Sequence, residues 1–337
     1  MKRILVVNVN WLGDVIFSAP VFKALKQAYP QSWISCVGVP RVKDILESIP
    51  HIDEVIVYDE KKRHWDPFSK LIFILALRKR KFDSAFLLHR SFTRALIIFL
   101  SGIPQRVGTD TKKRGILLTH IVKPIEGCTH RADEYLNVIE SFGVPVVDRA
   151  SVLSIAVEAH DEVQEFLRDH DIKSSDTVVL VNPGGNWDLK RWPLENYVLL
   201  IDRLLSQNNF KVIVAGATKD QSLGEALRAK TNHRPIMCIG QMSLKQLLAL
   251  MKRADIVVSA DSGPLHMANS IGTATVGIYG PTEMKITGPR GSGVSVVLKK
   301  DVGCNREPCY HLKCPDNICM KAIDVEEVHN AITKILH

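Results

Sequence analysis

The sequence predicts an α/β protein made of two doubly wound domains, each built around a parallel sheet. Three observations favour this class. The chain has 337 residues, and at about 150 residues per domain two domains are expected. Its short apolar runs are continuous and rich in β-branched residues, which is typical of strands buried on both faces. These runs alternate with helical patterns, as in successive βαβ units.

The first half of the chain shows this alternation from its beginning. After the apolar run 4–9, side chains recur at steps of three or four from Val15 to Tyr29, which predicts a helix that Pro30 ends. The remaining elements follow from the same two patterns. Strands are predicted at 4–9, 33–39, 54–58 and 84–88, and helices at 15–29, 42–49, 68–80, 93–100 and 132–142.

An acidic segment with one predicted helix, 160–169, separates this half from a second α/β pattern. Ser243 is a plausible N-cap in the second half. The strands predicted there are 177–182, 211–216, 236–239, 254–259 and 273–279, and the helices are 194–207, 221–229, 243–251 and 324–336. We therefore expect a domain at 1–155, an interdomain passage at 156–176, a domain at 177–323 and a closing helix at 324–337.

The positive charge of the chain is concentrated in one stretch. The net charge is +8, but residues 60–115 contain 14 lysines and arginines against 4 acidic residues. Basic clusters beside apolar sequence suit an anionic membrane surface or an acidic ligand, and Arg63, Arg78 and Lys79 are candidate contacts. The alternative is an ordinary solvated face. No nucleic-acid-binding motif is present, so we expect no nucleic-acid partner.

The apolar segments are too short to cross a membrane. The longest run, Leu71–Leu77, is far below the roughly 20 residues that a spanning helix needs. The first residues enter a strand directly and lack the pattern of a signal peptide. We therefore expect a cytoplasmic protein.

Four of the seven cysteines are evenly spaced near the end of the sequence. Cys304, Cys309, Cys314 and Cys319 have four residues between neighbours. Such a cluster in a cytosolic chain favours a metal over disulfides, although zinc sites usually have two to four residues between paired cysteines. A metal site, a redox-sensitive thiol group and a structural loop all remain open.

Asp261-Ser-Gly-Pro-Leu-His266 is the sharpest local motif. It follows a predicted strand and opens a helix, where Ser262 suits the cap and Pro264 suits the first turn. The backbone N–H groups from Gly263 onward are then available to an anion such as a phosphate. The alternative is that Asp261 only caps the helix.

Two further motifs follow predicted strands. In the segment 182–193, Gly184 and Gly185 allow close approach of a ligand to the backbone, and Lys190 and Arg191 supply cations. Those cations can balance the charge of a leaving diphosphate, or they can be ordinary surface residues.

Asp14 ends the segment Asn10-Trp-Leu-Gly-Asp14, on the first turn of the first helix. A carboxylate there can act as a general base, or it can only stabilise the helix N-terminus. The glycine fingerprint of dehydrogenases, the P-loop and the G-x-S-x-G elbow are all absent from the sequence.

Together with Gly280-Pro-Thr282, these motifs resemble those of the ADP-heptose:lipopolysaccharide heptosyltransferases of glycosyltransferase family 9 in their order and spacing. The segments Arg90–Leu96 and Ser101–Gly108 are more similar to the family enzyme that adds the second heptose than to the enzyme that adds the first heptose. Arg90 and Arg94, in the first of these segments, are candidate contacts of the acceptor or of the membrane surface.

The resemblance implies a GT-B fold, with two Rossmann-like domains facing a central cleft. It implies an inverting enzyme that moves heptose from ADP-L-glycero-D-manno-heptose to the lipopolysaccharide inner core, with no cofactor, at the inner face of the inner membrane. Asp14 matches the catalytic base and Lys190 the cation near the diphosphate. The implied donor-binding residues are Gly184, Gly185, Asn186, Asp261, Ser262, Gly263 and His266.

One feature departs from the family pattern. The family places an acidic residue near the nucleoside after the strand 211–216, where this chain has Lys219 and Asp220. Two other functions remain open: a GT-B glycosyltransferase with a different donor or acceptor, and a nucleotide-sugar-binding protein without catalysis. A donor screen distinguishes a glycosyltransferase with a different donor from a heptosyltransferase. A measurement of turnover distinguishes a nucleotide-sugar-binding protein from an enzyme.

Overall fold

The computed structural model describes residues 1–304, 306, 308–309 and 314–337. It divides into two compact units, Met1–Ser154 and Ile155–His337. Each unit contains a six-stranded sheet in which every neighbouring pair of strands is parallel. The predicted α/β class is therefore confirmed.

In the first unit, strands and helices alternate along the chain. The strands are β1 (Arg3–Val7), β2 (Trp33–Gly38), β3 (Glu54–Val57), β4 (Ser84–Leu87), β5 (Gln105–Thr109) and β6 (His120–Val122). The helices are α1 (Leu12–Phe17), α2 (Ala19–Ala28), α3 (Lys43–Glu47), α4 (Pro67–Lys79), α5 (Phe92–Leu100) and α6 (Arg131–Glu140).

The strand order of the first sheet is β3-β2-β1-β4-β5-β6. The winding direction therefore reverses between β1 and β4, where Val7 pairs with Leu87. Open α/β sheets bind ligands at this point, outside the carboxyl ends of the two strands. The apolar core beside the sheet includes buried side chains of β1, α4 and α5, among them Leu5, Phe73 and Ile98.

The second unit repeats this plan. Its strands are β7 (Thr177–Asn182), β8 (Phe210–Val214), β9 (Ile236–Met237), β10 (Ile256–Ala260), β11 (Ala274–Tyr279) and β12 (Ser295–Lys299). Its helices are α7 (Val157–Asp169), α8 (Leu194–Leu205), α9 (Gln221–Lys230), α10 (Leu244–Arg253), α11 (Gly263–Ser270), α12 (Met284–Thr287), α13 (Ile318–Lys321) and α14 (Val325–Leu336).

The second sheet has the order β12-β11-β10-β7-β8-β9, so its winding reverses between β7 and β10. Ser259 of β10 pairs with Asn182 of β7 at this point. The loops that begin with Pro183 and Asp261 therefore leave the sheet side by side. The core of this unit includes Val181, Ile201, Val258 and Ile332, all almost fully buried.

The first predicted helix, 15–29, is divided into α1 and α2 at Ser18. Pro20 has no N–H for the helical ladder, so a continuous helix is disfavoured there. The Ser18 hydroxyl donates to the carbonyl of Val15 at 2.7 Å and accepts from Asn8 Nδ2 at 2.8 Å. The break thus ties the start of α2 to the end of β1.

The acidic passage expected at 156–176 is largely helical and belongs to the second unit. Its helix α7 packs against α10, with Ala159, Val163 and Leu167 buried. Its acidic side chains lie on the exposed face of this helix, so acidic composition alone suggested a linker. The closing helix α14 packs on α8, β11 and β12 within the same unit.

Helix α4 exposes several large apolar side chains of the first unit. Asp66 caps it by accepting from the Ser69 N–H at 2.9 Å. It buries Phe73, Ile74 and Leu77, and its outer face remains apolar. Within the described part of the chain, no helix combines the length and apolarity needed to cross a membrane.

Candidate active site

The first candidate site lies at the switch point of the first sheet. The loops after β1 and β4, together with α6, enclose a cavity of about 320 Å³. This is near the lower end of the roughly 300–1,000 Å³ of small-molecule pockets. Its lining consists of Val9, Asn10, Trp11, Asp14, Leu88, His89, Arg90, Arg131, Glu134 and Tyr135. Predicted Asp14 and Arg90 thus line one cavity.

Asp14 lies half-buried on the first turn of α1. The Tyr135 hydroxyl donates to Asp14 Oδ1 at 2.9 Å. Burial, and then the charge of Asp14, raises the pKa of Tyr135 well above 10, so this phenol is a stable donor at neutral pH. Trp11 is the N-cap residue and makes no side-chain capping bond. The carboxylate is therefore bound across the cavity wall by α6 and does not cap its own helix.

Two arginines of the cavity share one carboxylate. Glu134 Oε2 lies 2.9 Å from Arg131 Nη1 and 2.8 Å from Arg90 Nη2. Burial by itself would lower the pKa of Arg131, but the charge and hydrogen bonds of Glu134 raise it. Each guanidinium has five N–H groups, so donors remain for the oxygen atoms of a ligand.

His89 follows β4 and is a neutral member of the same cavity wall. Its Nδ1 accepts the N–H of Ser91 at 3.1 Å, which leaves the proton on Nε2. Burial, together with the positive charges of Arg94, Arg114 and Lys112, lowers the pKa of His89 to about 3. The ring is therefore an uncharged hydrogen-bond donor at neutral pH.

Arg94 lies inside the protein, with its side chain only 2% exposed. Its Nη1 donates to the carbonyl of Asn8 at 3.0 Å, and burial lowers its pKa despite the nearby Glu60. This residue therefore supports the loop after β1 and does not offer the surface contact expected from the sequence. Arg63, Arg78 and Lys79 are exposed, as a surface contact requires.

The second candidate site lies at the switch point of the second sheet. After β7, Asn182 Nδ2 donates to Ser259 Oγ at 3.1 Å and to the carbonyl of Gly184 at 3.4 Å. A Cβ atom on Gly184 would lie 2.4 Å from Asp220 Oδ2, so only glycine fits there. A Cβ atom on Gly185 would meet nothing closer than 3.8 Å.

The acidic residue after β8 has a structural position. Asp220 is 4% exposed, lies against Gly184 and pairs with Arg191 Nη2 at 3.3 Å. Lys219 is exposed, and its ammonium donates to the Gly185 carbonyl at 3.1 Å and to Asn186 Oδ1 at 2.9 Å. These two residues therefore support the glycine turn, and Asp220 does not have the exposed position of a nucleoside contact.

Asp261 and Lys190 form a buried ion pair at the start of α11. Lys190 Nζ lies 2.8 Å from Asp261 Oδ2, and His266 Nε2 lies 3.3 Å from Oδ1. The Thr287 hydroxyl donates to Oδ2 at 3.2 Å. Burial would raise the pKa of Asp261, but the hydrogen bond with His266 and the charge of Lys190 lower it overall. Asp261 thus holds the Lys190 ammonium beside the helix.

The N-terminus of α11 has the properties that the sequence predicts for an anion site. Its N-cap is Ser262, which makes no side-chain capping bond and bonds to Ser259 Oγ at 2.8 Å. Asp261 does not cap the helix either, because its carboxylate binds Lys190, Thr287 and His266. The first-turn N–H groups of α11 therefore lie beside the Lys190 ammonium, whose charge is paired with the Asp261 carboxylate.

The four late cysteines carry free thiols. Within the described residues, no group of three or more histidine, cysteine or acidic side chains is arranged to hold a metal ion. The N–H of Cys309 donates to the carbonyl of Pro281 at 2.7 Å, next to the Gly280-Pro-Thr282 motif. The role of this cluster stays a prediction.

Sequence reasoning missed His89, Arg131, Glu134 and Tyr135. Three of them lie on α6, whose helical pattern was found without any link to the first switch point. The spacing of Arg131, Glu134 and Tyr135 places them on one helix face, and this was the only signal available. The contact of α6 with α1 turns that face toward Asp14.

Comparisons with known proteins show the family to which the chain belongs. The model of glycosyltransferase family 9 (heptosyltransferase) matches residues 71–316, well over half of the chain. The chain is 27% identical over 297 residues to lipopolysaccharide heptosyltransferase 2 of Salmonella typhimurium, which covers 85% of each protein.

Solved structures share the fold across nearly the whole chain. A family 9 glycosyl transferase from Veillonella parvula has a TM-score of 0.87 and 26% identity, covering 99% of this chain and 97% of its own. The ADP-heptose lps heptosyltransferase II of E. coli has a TM-score of 0.82 and 22% identity, covering 100% and 98%. The two doubly wound units thus have the GT-B fold, and the chain belongs to glycosyltransferase family 9, the heptosyltransferases.

Proposed function

We propose that this chain transfers heptose from ADP-L-glycero-D-manno-heptose to the lipopolysaccharide inner core, with inversion at the anomeric carbon. One observation carries the proposal: each sheet holds, at its switch point, the groups that one substrate of this reaction requires. The first has an ordered carboxylate in a cavity, and the second has a cationic helix start. The heptose and the lipopolysaccharide are taken from the names of the relatives, and the ADP-heptose donor from the E. coli heptosyltransferase II that shares the fold.

Asp14 is the general base of this proposal. Tyr135 binds its Oδ1, so Oδ2 accepts the proton of an acceptor hydroxyl. The hydroxyl oxygen forms a bond to C1 of the heptose while the bond from C1 to the ADP phosphate oxygen breaks. A single displacement from the opposite face inverts the configuration at C1.

The second unit holds the nucleotide sugar and stabilises the departing ADP. The diphosphate lies at the N-terminus of α11, near Gly263, with Lys190 beside it. Gly184 and Gly185 let the backbone approach the ligand closely, and Asn186, Ser262 and His266 complete the donor site. Removing one such electrostatic contact typically costs about 2.7–4 kcal/mol, or roughly 100- to 1,000-fold in rate. Lys190 and the helix dipole supply the positive charge, so the proposal requires no cofactor.

The acceptor is an anionic lipid, and we propose that the enzyme works as a peripheral protein at the inner face of the inner membrane. Arg90 and Arg131 offer N–H groups to anionic sugar oxygens in the Asp14 cavity. Arg63, Arg78 and Lys79 are exposed near the apolar outer face of α4. This combination of basic and apolar side chains suits the surface of an anionic bilayer.

Asp14→Asn tests the base. We expect it to retain the fold and ADP affinity and to lose at least 100-fold in kcat, because an amide cannot take the proton. Product is measured by mass spectrometry with purified ADP-heptose and a defined acceptor lipid. Asp44→Asn is the matched control, since Asp44 also lies on the first turn of a helix in this unit. Equal activity of the two variants would remove Asp14 from this role.

Lys190→Ala tests the leaving-group site. We expect weaker ADP binding by calorimetry and a 100- to 1,000-fold lower kcat, whereas excess chelator leaves wild-type turnover unchanged. Lys230→Ala, which breaks the exposed pair with Glu195, is the control for charge loss. A Lys190 variant that changes only the melting temperature would make the loop structural, and loss of turnover in chelator would show a required metal.

A donor screen tests the substrate itself. We expect calorimetric binding of ADP-heptose and no comparable binding of UDP-sugars. Preference for a UDP-sugar would keep the fold and the base but replace the substrate. Tight donor binding without product from any inner-core acceptor would instead show a nucleotide-sugar-binding protein.

A further inference from the structure

The Tyr135 hydroxyl is buried in contact with the proposed base, which is an unusual position for a residue that only fills a core. Tyr135 is 8% exposed, and its O–H donates to Asp14 Oδ1 at 2.9 Å. Burial and the charge of Asp14 keep it protonated by raising its pKa well above 10. The phenol is therefore a protonated hydrogen-bond donor to the carboxylate at neutral pH.

The packing of α6 fixes this donor. The helix is capped by His130, whose ring nitrogen accepts the N–H of Ala132, and it contacts both α1 and α2. Leu136, Val138 and Ile139 on the same helix are buried. The tyrosine ring is therefore held by the core, and little side-chain freedom remains to be lost when the hydrogen bond forms.

A carboxylate bound at one oxygen has a defined orientation. Without that bond, the Asp14 side chain on the first turn of α1 can rotate within a half-open cavity. With it, Oδ1 is engaged and Oδ2 is the oxygen left to accept a proton. Holding a reacting group in its productive geometry is a recognised source of rate acceleration.

We infer that Tyr135 is a positioning residue, which orients the Asp14 carboxylate through its hydroxyl and so sets kcat without contacting either substrate's reacting atoms. This inference rests on the proposed function, because it needs Asp14 to be the base. The competing explanation is that the hydroxyl merely satisfies a buried polar atom near the cavity wall.

Tyr135→Phe removes only the hydroxyl and is the decisive variant. We expect kcat to fall roughly 10- to 100-fold, in line with the loss of a hydrogen bond to a charged group, while the KM for ADP-heptose stays within about twofold. Tyr58→Phe is the matched control. Tyr58 is also buried in the same unit, at 1% exposed, and its hydroxyl has no hydrogen-bond partner among the described residues.

The split between kcat and KM separates positioning from structure. Loss of the base's orientation lowers kcat and leaves the KM of both substrates unchanged, whereas a disturbed cavity wall also raises the KM of the acceptor. The other polar groups that face Asp14 in the cavity are Arg131 and Glu134 on α6 and His89 and Arg90 after β4. They are unchanged in Tyr135→Phe, so a loss confined to kcat reports the lost bond.

A double-mutant cycle completes the test. In the Asp14→Asn background, Tyr135→Phe should cause no further loss of kcat, since there is no base left to orient. Near-wild-type kcat in Tyr135→Phe, with Asp14→Asn inactive, would overturn the positioning role and leave the proposed function intact. A fully active Asp14→Asn would overturn both. A loss in Tyr135→Phe that Tyr58→Phe reproduces, together with a raised KM for the acceptor, would show that Tyr135 has only a structural role in the core.

Discussion

His89 shows how neighbouring cations set the protonation state of a single side chain. Its ring lies among Arg94, Arg114 and Lys112, and burial with these charges lowers its pKa to about 3. The carbonyl of His89 also accepts a hydrogen bond from Arg114. Because the folded protein excludes a proton that the unfolded chain accepts near pH 6.5, this residue links stability to pH.

We therefore predict that His89→Gln is less sensitive to acid than the wild-type protein. The stability that depends on neutral His89 is complete above about pH 6.5 and is lost as the pH falls from there toward 3. Melting temperatures between pH 7.5 and 5 should fall more steeply for wild type than for the variant. His160→Gln, at an exposed position on α7, should keep the wild-type slope. Parallel slopes for all three proteins would contradict the prediction.

At the scale of elements, the turn after β7 separates two roles of adjacent glycines. Gly184 packs against the buried carboxylate of Asp220, whereas a Cβ atom on Gly185 would meet nothing closer than 3.8 Å. Arg191 binds the Asp220 carboxylate on one side of this turn, and Lys219 donates to the Gly185 carbonyl on the other. One glycine is therefore required by packing, and the other by the proposed approach of a ligand.

Alanine substitutions should separate these roles. Gly184→Ala is expected to destabilise the protein by about 1–3 kcal/mol, because its Cβ would lie 2.4 Å from Asp220 Oδ2. Gly185→Ala should retain stability and weaken ADP binding. Denaturant unfolding and calorimetry measure the two effects. Equal stability of the two variants would contradict the packing argument, and unchanged ADP affinity of Gly185→Ala would contradict the ligand approach.

Element prediction succeeded where local pattern and tertiary environment agree. The buried strands at residues 4, 177 and 254 onward are continuous apolar runs, and Ser243 caps α10 through a hydrogen bond from Gln246, as expected. The strands β5, β6 and β12 were missed. They are short or mix polar with apolar residues, as in Gln105–Thr109, and their pairing with neighbouring strands stabilises them.

At the scale of the whole molecule, the sequence could predict two repeated α/β patterns and the turns that follow their first and fourth strands. It could not predict which helix completes each site, because that depends on packing between residues far apart in the chain. Asp14 and Tyr135 are 121 positions apart, and Lys190 and Asp261 are 71 apart. Arg94 was expected at the surface. Helical spacing alone does not show that its guanidinium is buried and binds the Asn8 carbonyl in the loop after β1.

The first unit also has a surface that suits an anionic bilayer. The outer face of α4 and the residue before its cap expose large apolar side chains, which we name the apolar surface: Trp65, Phe68, Leu71, Ile72 and Leu75, each 44–71% exposed. It lies within the stretch 60–115, where 14 lysines and arginines stand against 4 acidic residues. Charge attracts such a surface to the membrane, and apolar area holds it there.

We predict that the protein binds vesicles containing anionic lipid and that binding weakens as salt rises, since the screening length falls from about 10 Å at 0.1 M to about 3 Å at 1 M. Co-sedimentation measures this. Phe68→Ser with Leu71→Ser should weaken binding at every salt concentration, because it removes apolar contact but no charge. Leu199→Ser, at a 58% exposed leucine of the second unit, is the matched control. Binding that is independent of salt would contradict the electrostatic contribution. Equal binding by the double variant and the control would show that α4 does not contact the bilayer.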